Sequence, residues 1–377
     1  MKQIKKLLFF VTEDWYFCSH RLPLASAAKD AGYEVSVVTR VQSHGDRIKA
    51  AGLKLIPLEL SRRGMNPLNE LRVISRLASI YKVERPDIVH HVALKPVLYG
   101  SIAARLAGIP YVINAIAGLG FLFSSKTLKA RIARPFFLMF FKLLLNRSGS
   151  RVILQNAEDA TLLINSGVLN EKRIALIRGS GVDTLEYTAK PELDSEPVVI
   201  LASRLLWDKG VGEFVDAARL LKEDGIHARF ALLGEGDIEN PGSISDEQLQ
   251  VWHDEGVIER WGKKDNMPEV FAQVHIVCLP SFYGEGVPKV LIEAASCGKP
   301  IVTTDSPGCR DIVRDGVNGI LVPLRDSTSV AEALKKLIES PGLRKKMGKK
   351  GREIVEREFS LDKVNRETLA LYEELQA

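Results

Sequence analysis

The chain has 377 residues, 46% of them hydrophobic and 26% charged, which is a typical globular composition and enough chain for about two domains. Its four cysteines are scattered without a C-x-x-C pair, which argues against a disulfide framework or a zinc site and fits a reducing cytoplasm. The N-terminal apolar run, 7–11, is shorter than the core of a signal peptide and acidic residues follow it, so we predict a first β-strand there.

The net charge of +5 conceals a strong asymmetry along the chain. Residues 1–190 contain 28 Lys and Arg against 14 Asp and Glu, whereas residues 191–377 contain 24 against 33. Between 88 and 157 there are nine basic residues and no acidic one. A solvated basic face is the plain interpretation, but we favour a surface that meets phospholipid headgroups or a diphosphate.

The first half alternates short apolar runs with longer helical segments. Continuous apolar runs of this length predict parallel strands that are buried on both faces. The predicted strands are 7–12, 34–39, 53–58, 87–92, 111–116, 151–156 and 173–178. A helix is predicted over 66–83, with Asn66 as its cap and Pro67 in its first turn. Repeated strand–helix–strand units predict an α/β, doubly wound sheet.

A polar, proline-containing stretch over 183–198 separates this pattern from a second one. The second set of predicted strands is 198–205, 227–236, 275–281, 299–305 and 318–323, followed by amphipathic helices over 330–376. The predicted organisation is therefore a first domain over 1–185, a linker over 186–197, a second domain over 198–358, and a final helix over 359–377 that packs back on the first domain. Ligands in such sheets bind beyond the carboxyl ends of the strands, so motifs at strand ends are the informative ones.

One such motif is EGVPKVLIE, which starts at Glu285 and ends at Glu293, inside the block 284–298. Gly286 permits a close backbone approach to a ligand, and the following amides open a helix that favours a diphosphate. Taken alone, two glutamates eight positions apart are more often a helix acid and a surface ion-pair partner. With its flanking sequence, however, this block resembles the E-x7-E signature of family 4 retaining glycosyltransferases.

The resemblance covers essentially the whole chain, specifically over about 198–325 and more loosely before. It implies the GT-B fold, in which two Rossmann-like, doubly wound domains face each other across a cleft. A second matching element is SRLLWDKGVGEF, 203–214, where the basic residues follow a strand end. An Arg and a Lys five positions apart are usually surface charge, and their place at the strand end is what singles them out. The residues with an implied catalytic role are Glu285, Arg204 and Lys209.

The same resemblance implies how the donor is held. Glu285 would orient the sugar, Arg204 and Lys209 would hold the diphosphate, and Glu293 would bond the ribose hydroxyls. The implied donor-binding residues are Glu293, Gly286, Val287, Pro288, Lys289, Lys263 and Lys264. The chain contains no D-x-D sequence, the usual handle for a metal-bound diphosphate, so we expect no metal and no cofactor other than the nucleotide-sugar substrate itself.

The first half resembles family members that act on lipid-linked acceptors, through CSHRLPLA, 18–25, DIVHHVALKP, 87–96, and GLGF, 118–121. Adjacent histidines on a strand point to opposite faces, so one of His90 and His91 is expected to be structural. Ala117 stands where some members have a histidine, which leaves a histidine-centred acceptor mechanism unsupported. The implied acceptor-binding residues are His20, Arg21, His91, Lys95, Gly118 and Gly120.

The stretch 121–148 combines basic residues with several leucines and a run of four phenylalanines, at 136, 137, 140 and 141. It has too many charges for a membrane-spanning helix, and two interpretations remain: a helix in the membrane interface, which we favour, or a core helix with basic ends. The predicted membrane contacts are Lys126, Lys129, Arg131, Arg134, Phe136 and Phe137.

These observations predict a metal-independent, retaining hexosyltransferase. It would use a nucleotide-diphosphate sugar, with UDP favoured, and a sugar on a polyprenyl diphosphate carrier, in bacterial polysaccharide, O-antigen or glycan assembly. We expect it in the cytoplasm, peripheral on the anionic inner face of the plasma membrane. Two alternatives are a GT-B nucleotide-sugar epimerase and a catalytically silent nucleotide-sugar-binding membrane protein. Nucleic acid is not expected as a partner, because the positive charge follows an apolar, aromatic helix.

Overall fold

The chain divides into two units in a computed structural model that describes residues 4–60, 66–119, 138–237, 239–282, 284 and 286–377. The first unit comprises Met1–Ser180 together with Leu361–Ala377, and the second comprises Gly181–Ser360. Each unit contains one parallel sheet covered by helices. Among the described residues, no helix combines the length and the apolar character needed to cross a membrane.

The sheet of the first unit has seven parallel strands in the order β3-β2-β1-β4-β5-β6-β7. The strands are β1 (Lys6–Glu13), β2 (Glu34–Arg40), β3 (Lys54–Pro57), β4 (Ile88–Val92), β5 (Tyr111–Ile116), β6 (Ser150–Leu154) and β7 (Ile174–Leu176). All seven predicted strands of this half are present. Both faces of the central strands are buried, which is why these strands are continuous apolar runs in the sequence.

Helices cover both faces of this sheet. They are α1 (Asp14–His20), α2 (Leu22–Asp30), α3 (Gly45–Ala50), α4 (Pro67–Glu84), α5 (Leu94–Ala107), α6 (138–145), α7 (Ala157–Asn165) and α15 (Leu361–Gln376). The predicted cap of α4 is confirmed, since the Asn66 side chain accepts a hydrogen bond from the amide of Leu68 at 3.1 Å. On β1, Phe9 and Phe10 point to opposite faces: Phe9 packs in the cluster that contains Tyr372 of α15, and Phe10 in the cluster that contains Tyr81 of α4.

The sheet of the second unit has six parallel strands in the order β10-β9-β8-β11-β12-β13. The strands are β8 (Val198–Ala202), β9 (Arg229–Leu233), β10 (Glu259–Gly262), β11 (Ile276–Leu279), β12 (Ile301–Thr304) and β13 (Gly319–Val322). The five predicted strands are present, and β10 was missed. It is a four-residue edge strand whose residues are alternately half-buried and exposed, so it has no apolar run to mark it.

The helices of the second unit are α8 (Val211–Glu223), α9 (Asp246–Asp254), α10 (Met267–Ala272), α11 (Lys289–Ser296), α12 (Cys309–Ile312), α13 (Ser327–Ile338) and α14 (Pro341–Glu358). Together with the sheet they enclose a single large apolar cluster, and α8 and α11 pack directly against the central strands.

The segment predicted as a linker, 186–197, is packed on the second unit. The buried Arg344 of α14 donates to both carboxylate oxygens of Glu192 at 3.0 Å, and Arg352 donates to the carbonyl of Tyr187. The chain leaves the first unit after Ser180, which lies between Gly179, with φ +70°, and Gly181, with φ +75°. It returns to the first unit at Leu361. The final helix, Leu361–Gln376, lies in the first unit.

Candidate functional site

Each sheet has one place where the strand order reverses. In the first unit this place lies between β1 and β4, and in the second between β8 and β11. In parallel α/β sheets, ligands bind beyond the carboxyl ends of the two strands at such a point. The loops that follow these four strands are therefore the natural positions for functional residues.

In the second unit, the loop after β8 is joined to the loop after β11. The carbonyl oxygen of Asp208 accepts hydrogen bonds from the Ser281 hydroxyl at 3.2 Å and from the Phe282 amide at 3.0 Å. A Cβ atom on Gly210 would lie 2.1 Å from the carbonyl oxygen of Pro280, and its φ is +76°. Only glycine permits this approach, which brings together two loops whose joined residues, Asp208 and Ser281, are 73 positions apart.

Arg204 and Lys209 both lie on this joined loop. Arg204 follows the end of β8, and its Nη1 donates to Asp237 on the loop after β9 at 2.7 Å, while 38% of its side chain remains exposed. Lys209 ends a short 3-10 helix, Trp207–Lys209, directly before α8. The structure thus places two cations at the carboxyl edge, near the point where the strand order reverses, as the sequence predicted.

Glu285 lies outside the described residues. Its neighbours Gly286, Val287 and Pro288 lead into α11, whose first residue is Lys289. Pro288 is the N-cap with φ −63° and ψ 120°, no side chain caps the helix, and its first turn has no acidic residue. The amides at this N-terminus thus have no competing carboxylate from their own helix, an arrangement that suits an anionic group of a ligand.

Glu293 is buried one turn farther along α11, with 5% of its surface exposed. Lys289 donates to its Oε1, so the pair is enclosed rather than an ordinary surface ion pair. Tyr187 completes the group: the Lys289 Nζ lies 5.9 Å from the centre of its ring, and its hydroxyl is close enough to Glu293 to be affected by the carboxylate charge. Burial and then the charge of Glu293 raise the pKa of Tyr187 well above its usual range, so the phenol stays protonated.

Tyr187 was not predicted as a site residue. Its carbonyl accepts from the Ser296 hydroxyl at 2.7 Å and from Arg352 Nη1, so both its main chain and its side chain are attached to α11 or α14. The signal in the sequence is slight: it is the one aromatic residue in the polar stretch 183–198.

The predicted residues Lys263 and Lys264 are exposed on the loop after β10. Lys264 lines a groove of about 690 Å³ together with Trp261 and Asn266. A second cavity, of about 580 Å³, lies at the carboxyl ends of β9 and β10. Its lining includes Gly234, Glu235, Gly262, His253 and Arg260. Among the described residues, no three His, Cys, Asp or Glu side chains form a group that could hold a metal ion, and a metal-free site stays a prediction.

In the first unit, the end of β1 is fixed to the end of β2. The Asp14 carboxylate accepts from the amides of Gln42 and His44, both at 2.8 Å, and Glu13 pairs with Arg40 at 2.8 Å. His20 ends α1 and stacks on Tyr16 with ring centres 4.1 Å apart. Arg21 lies between α1 and α2 and is 4% exposed.

The prediction of His91 as an acceptor-binding residue is not favoured by its position. The ring is fully buried, its Nδ1 lies 2.8 Å from Asn114 Oδ1, and its Nε2 lies 3.0 Å from the Tyr81 hydroxyl. Burial lowers its pKa to about 4, which keeps the ring neutral. With both nitrogens occupied and no exposed surface, His91 has a structural role. His90 points to the opposite face, as expected for the next residue on a strand, and is also fully buried.

Of the remaining predicted acceptor-binding residues, the structure describes Lys95 and Gly118. Lys95 pairs with Glu70 at 2.9 Å and lies 5.2 Å from the ring centre of Tyr99. Gly118 follows β5 with φ +124°, a conformation that favours glycine. Gly120 and the six predicted membrane residues lie outside the described residues; those six are Lys126, Lys129, Arg131, Arg134, Phe136 and Phe137.

The described end of this stretch, α6, buries one side and exposes the other. Phe141 and Leu145 are buried, whereas the side chains of Met139, Phe140 and Leu143 are exposed. A cavity of about 620 Å³ lies beside the helix, and its lining includes Lys142, Leu143, Asn146, Arg147, Asn170 and Arg173. Arg147 and Arg173 each donate to a main-chain carbonyl, of Ile109 and Ser148, and within the described part of the chain none of the three cations has a carboxylate partner.

Comparison with protein families and known proteins gives matches over most of the chain. Residues 183–354 match the family described as glycosyl transferases group 1, and residues 6–156 match the family described as glycosyl transferase 4-like. The chain is 31% identical over 342 residues to the N,N'-diacetylbacillosaminyl-diphospho-undecaprenol alpha-1,3-N-acetylgalactosaminyltransferase of Campylobacter jejuni, covering 87% of this chain and 88% of that one. It is 25% identical over 288 residues to the UDP-Gal:alpha-D-GlcNAc-diphosphoundecaprenol alpha-1,3-galactosyltransferase of Escherichia coli, covering 72% and 71%.

Solved structures match the whole chain. The crystal structure of Anabaena HepE in complex with UDP and glucose superposes with a TM-score of 0.79 at 18% identity, covering 98% of this chain and 99% of that one. The sucrose-phosphate synthase of Thermosynechococcus elongatus gives the same TM-score, identity and coverage. At this identity the likeness shows the fold, and the predicted GT-B architecture with two parallel sheets is confirmed.

Proposed function

Because the chain belongs to glycosyltransferase family 4, we propose that it is a retaining, metal-independent transferase that extends a lipid-linked glycan. It moves a hexose or an N-acetylhexosamine from a UDP-sugar to a sugar that is carried on a polyprenyl diphosphate, in the assembly of a bacterial glycan. The relatives from C. jejuni and E. coli support this acceptor class, since both names specify a sugar on diphosphoundecaprenol. The UDP-Gal in the second name supports the nucleotide.

The observation that carries the proposal is the joined pair of loops in the second unit. Arg204 and Lys209 follow β8, and hydrogen bonds to Asp208 attach their loop to the segment that leads into α11. Two cations and an uncapped helix N-terminus therefore belong to one continuous structure at the reversal point of the sheet. This arrangement suits the diphosphate of a nucleotide sugar, which carries its negative charge on several oxygens.

In the proposed reaction, the acceptor hydroxyl attacks the sugar on the same face that the nucleoside diphosphate leaves. The bond from the sugar to the diphosphate breaks, the bond to the acceptor oxygen forms, and the hydroxyl proton passes to the leaving diphosphate. Arg204 and Lys209 stabilise the negative charge that builds on that leaving group, and fixed cations of this kind lower the barrier because they need no reorganisation during the reaction. Glu293 bonds the ribose, and Glu285 orients the transferred sugar through its hydroxyl groups.

Nucleotide release tests this proposal. A panel of UDP-, GDP- and ADP-sugars is incubated with the protein in EDTA, with and without a lipid extract that contains polyprenyl-diphosphate sugars. We expect release from one or a few UDP-sugars, only with the lipid, and unchanged by EDTA. Loss of release in EDTA would overturn the metal-independent mechanism, and epimer formation without lipid would show a nucleotide-sugar epimerase instead. Binding without turnover would mean a silent binding protein.

We further propose that the protein is peripheral on an anionic membrane, through the exposed side of α6. Met139, Phe140 and Leu143 give this side an apolar surface, with exposures of 50%, 46% and 59%. Lys142 lies among them, and the cavity beside the helix adds Arg147 and Arg173. Cations without carboxylate partners among the described residues, next to exposed apolar side chains, are the surface that inserts shallowly between anionic headgroups.

Vesicle sedimentation tests this surface. Vesicles of phosphatidylcholine are compared with vesicles that contain phosphatidylglycerol, for the wild type and for the triple variant Lys142→Gln, Arg147→Gln, Arg173→Gln. Since each basic residue contributes about 1 kcal/mol near an anionic surface, we expect binding to phosphatidylglycerol to fall at least 30-fold. The control removes three exposed lysines of α14, Lys345, Lys346 and Lys349, and should bind as the wild type does. Equal losses in the two triple variants would contradict the assignment of this surface.

A further inference from the structure

We infer that Arg21 of the first unit is the anchor of a diphosphate-binding subsite, next to the buried ring of His90. The subsite belongs to the first unit, whereas the cations that follow β8 belong to the second. Its assignment to the diphosphate of the lipid-linked acceptor rests on the proposed function. The presence of an anion site at Arg21 rests only on the burial and the contacts of Arg21 and His90.

The guanidinium of Arg21 is buried, and no other described residue pairs with it. Arg21 is 4% exposed, its Nε is fully enclosed, and within the described part of the chain its side chain makes no hydrogen bond and no ion pair. Arg344 shows what an equally buried arginine normally has. It is also 4% exposed, and it donates to both carboxylate oxygens of Glu192 and to the carbonyls of Leu337 and Ile338. A buried charge without a hydrogen-bond acceptor costs free energy of folding. An anionic ligand that binds at Arg21 would supply the missing hydrogen-bond acceptors.

His90 supplies a second unmatched nitrogen beside Arg21. Its ring is fully buried, its Nδ1 lies 2.6 Å from the Tyr372 hydroxyl of α15, and its Nε2 has no partner among the described residues. Burial, and then the charge of Arg21, lowers the pKa of His90 well below its usual value, so the ring is neutral. The Tyr372 hydroxyl either accepts from Nδ1 or donates to it, so the proton of the neutral ring is on Nδ1 or on Nε2, and in both cases Nε2 is an enclosed polar atom. The charge of Arg21 also acts on Tyr372, so the three side chains form one cluster.

The position of this cluster in the sheet fits a phosphate-bearing ligand. Arg21 is the N-cap residue of the nine-residue helix α2, which has no side-chain cap and no acidic residue in its first turn. His90 lies on β4, two residues from its carboxyl end, and β4 and β1 are the strands between which the order reverses. The helix N-terminus adds its partial positive charge to that of the guanidinium. A planar guanidinium matches the paired oxygens of a phosphate group, so Arg21 can hold one end of a diphosphate.

Calorimetry with inorganic pyrophosphate tests the subsite directly. UDP is kept at saturation so that the cations of the second unit are occupied, and pyrophosphate is then titrated into the wild type and into the Arg21→Gln and Arg21→Lys variants. We expect Arg21→Gln to bind at least 10-fold more weakly, and Arg21→Lys to fall between it and the wild type. Lys29→Gln, which removes an exposed cation of α2 that donates to the Ala51 carbonyl, should bind as the wild type does. Equal pyrophosphate affinity in the wild type and Arg21→Gln would overturn the inference.

Two further measurements keep the outcomes separate. Farnesyl diphosphate should compete with pyrophosphate at least 10-fold better than farnesyl monophosphate in the wild type, and equal competition would contradict a diphosphate site. Arg21→Met should raise the melting temperature, because it removes an unpaired buried charge, whereas a lower value would show that Arg21 is paired in the protein.

If pyrophosphate binding depends on Arg21 but no lipid-linked sugar supports nucleotide release, the subsite stands and the proposed function fails. If release occurs and Arg21→Gln leaves the acceptor KM unchanged, the function stands and the subsite fails.

Discussion

The carboxyl edges of the two sheets satisfy their charges in different ways. In the second unit, Arg204 is paired with Asp237, and Lys289 with the buried Glu293. In the first unit, Arg21 has no partner among the described residues, and burial keeps the ring of His91 on β4 neutral. We call the carboxyl edge of the second sheet the donor edge and that of the first sheet the acceptor edge, after the ligands that we propose for them. The cations Arg204 and Lys289 of the donor edge are paired within the protein, whereas Arg21 at the acceptor edge has no partner among the described residues. The paired charges of the second unit suit a small ligand group of fixed shape, such as a nucleoside diphosphate. The unpartnered Arg21 of the first unit suits a ligand that brings its own negative charge, such as a lipid carrier diphosphate.

The largest effect should come from breaking the donor edge at Arg204. Arg204→Ala removes a cation that we place on the leaving diphosphate, and loss of one such interaction costs about 2.7–4 kcal/mol of transition-state stabilisation. We expect kcat to fall by about 10²–10³-fold in a nucleotide-release assay, with little change in melting temperature. Arg219→Ala, which removes an arginine of α8 paired with Glu255, is the matched control and should keep wild-type activity. A fall of less than tenfold for Arg204→Ala would contradict its assigned role.

The second effect concerns the joint between the two loops of the donor edge. Gly210→Ala should destabilise the fold by about 2–4 kcal/mol, because its Cβ would meet the Pro280 carbonyl at 2.1 Å and its φ is +76°. Gly225→Ala is the control for backbone strain alone: its φ is +73°, but nothing lies within 4 Å of an added Cβ, so about 1 kcal/mol is expected. Chemical denaturation measures both. Equal losses would mean that the close approach at Gly210 contributes nothing.

The third prediction concerns the pH dependence of stability, to which the buried, neutral His91 of the first unit contributes. Its folded-state pKa of about 4 lies below the unfolded value of about 6.5, so the unfolded chain binds the proton first. The stabilisation from the neutral ring is therefore present above about pH 6.5 and is lost as the pH falls toward 4. From pH 7 to pH 5 this loss is about 2 kcal/mol, and His91→Gln should remove that part of the pH dependence in urea denaturation. An unchanged pH dependence in His91→Gln would show that folding does not lower the pKa of His91.

The smallest effect should come from Tyr187, which holds the enclosed pair of the donor edge. Tyr187→Phe removes the hydroxyl that lies beside the Glu293 carboxylate, and we expect UDP to bind about tenfold more weakly, which is about 1.4 kcal/mol. Because the effect passes through a residue that we place on the ribose, affinity for 2′,3′-dideoxy-UDP should change little. Ser296→Ala is the control for the fold around Tyr187: it removes the bond to the Tyr187 carbonyl and one bond from Arg352, and leaves the Tyr187 hydroxyl in place. Parallel losses for UDP and the dideoxy compound would mean that Tyr187 acts on the fold and not on ribose recognition.

The same contrast explains how far the sequence could be interpreted. The place of Arg204 and Lys209 after a strand, and of Gly286 and Glu293 at the start of a helix and within it, could be predicted because both are short-range patterns and because buried parallel strands leave continuous apolar runs. The roles of these residues stay predictions. The acceptor edge depends on side chains that meet only in the fold. The hydroxyl of Tyr81 on α4 and the amide of Asn114 on β5 decide that His91 is structural. No spacing in the sequence marks these contacts, nor the return of Tyr372 from the last helix to His90.

Two other departures have similar causes. The edge strand β10 lacks an apolar run because its residues alternate between half-buried and exposed, so periodicity does not reveal it. Tyr187 lies in a segment that is polar by composition, and its packing on the second unit is held by Arg352 of α14, about 165 residues later in the chain. The polar composition of this segment predicted a linker, because composition cannot reveal a hydrogen bond to a residue far along the chain.

The most direct test of the account is the anomeric configuration of the product. The protein is incubated in EDTA with the α-linked UDP-sugar that gives lipid-dependent release and with a short-chain polyprenyl-diphosphate sugar, and the new linkage is determined by NMR. An α-linked product, formed in EDTA and absent in Arg204→Ala, is the result we predict for a retaining transferase whose own cations hold the diphosphate. A β-linked product, or no product until a divalent metal is restored, would contradict it.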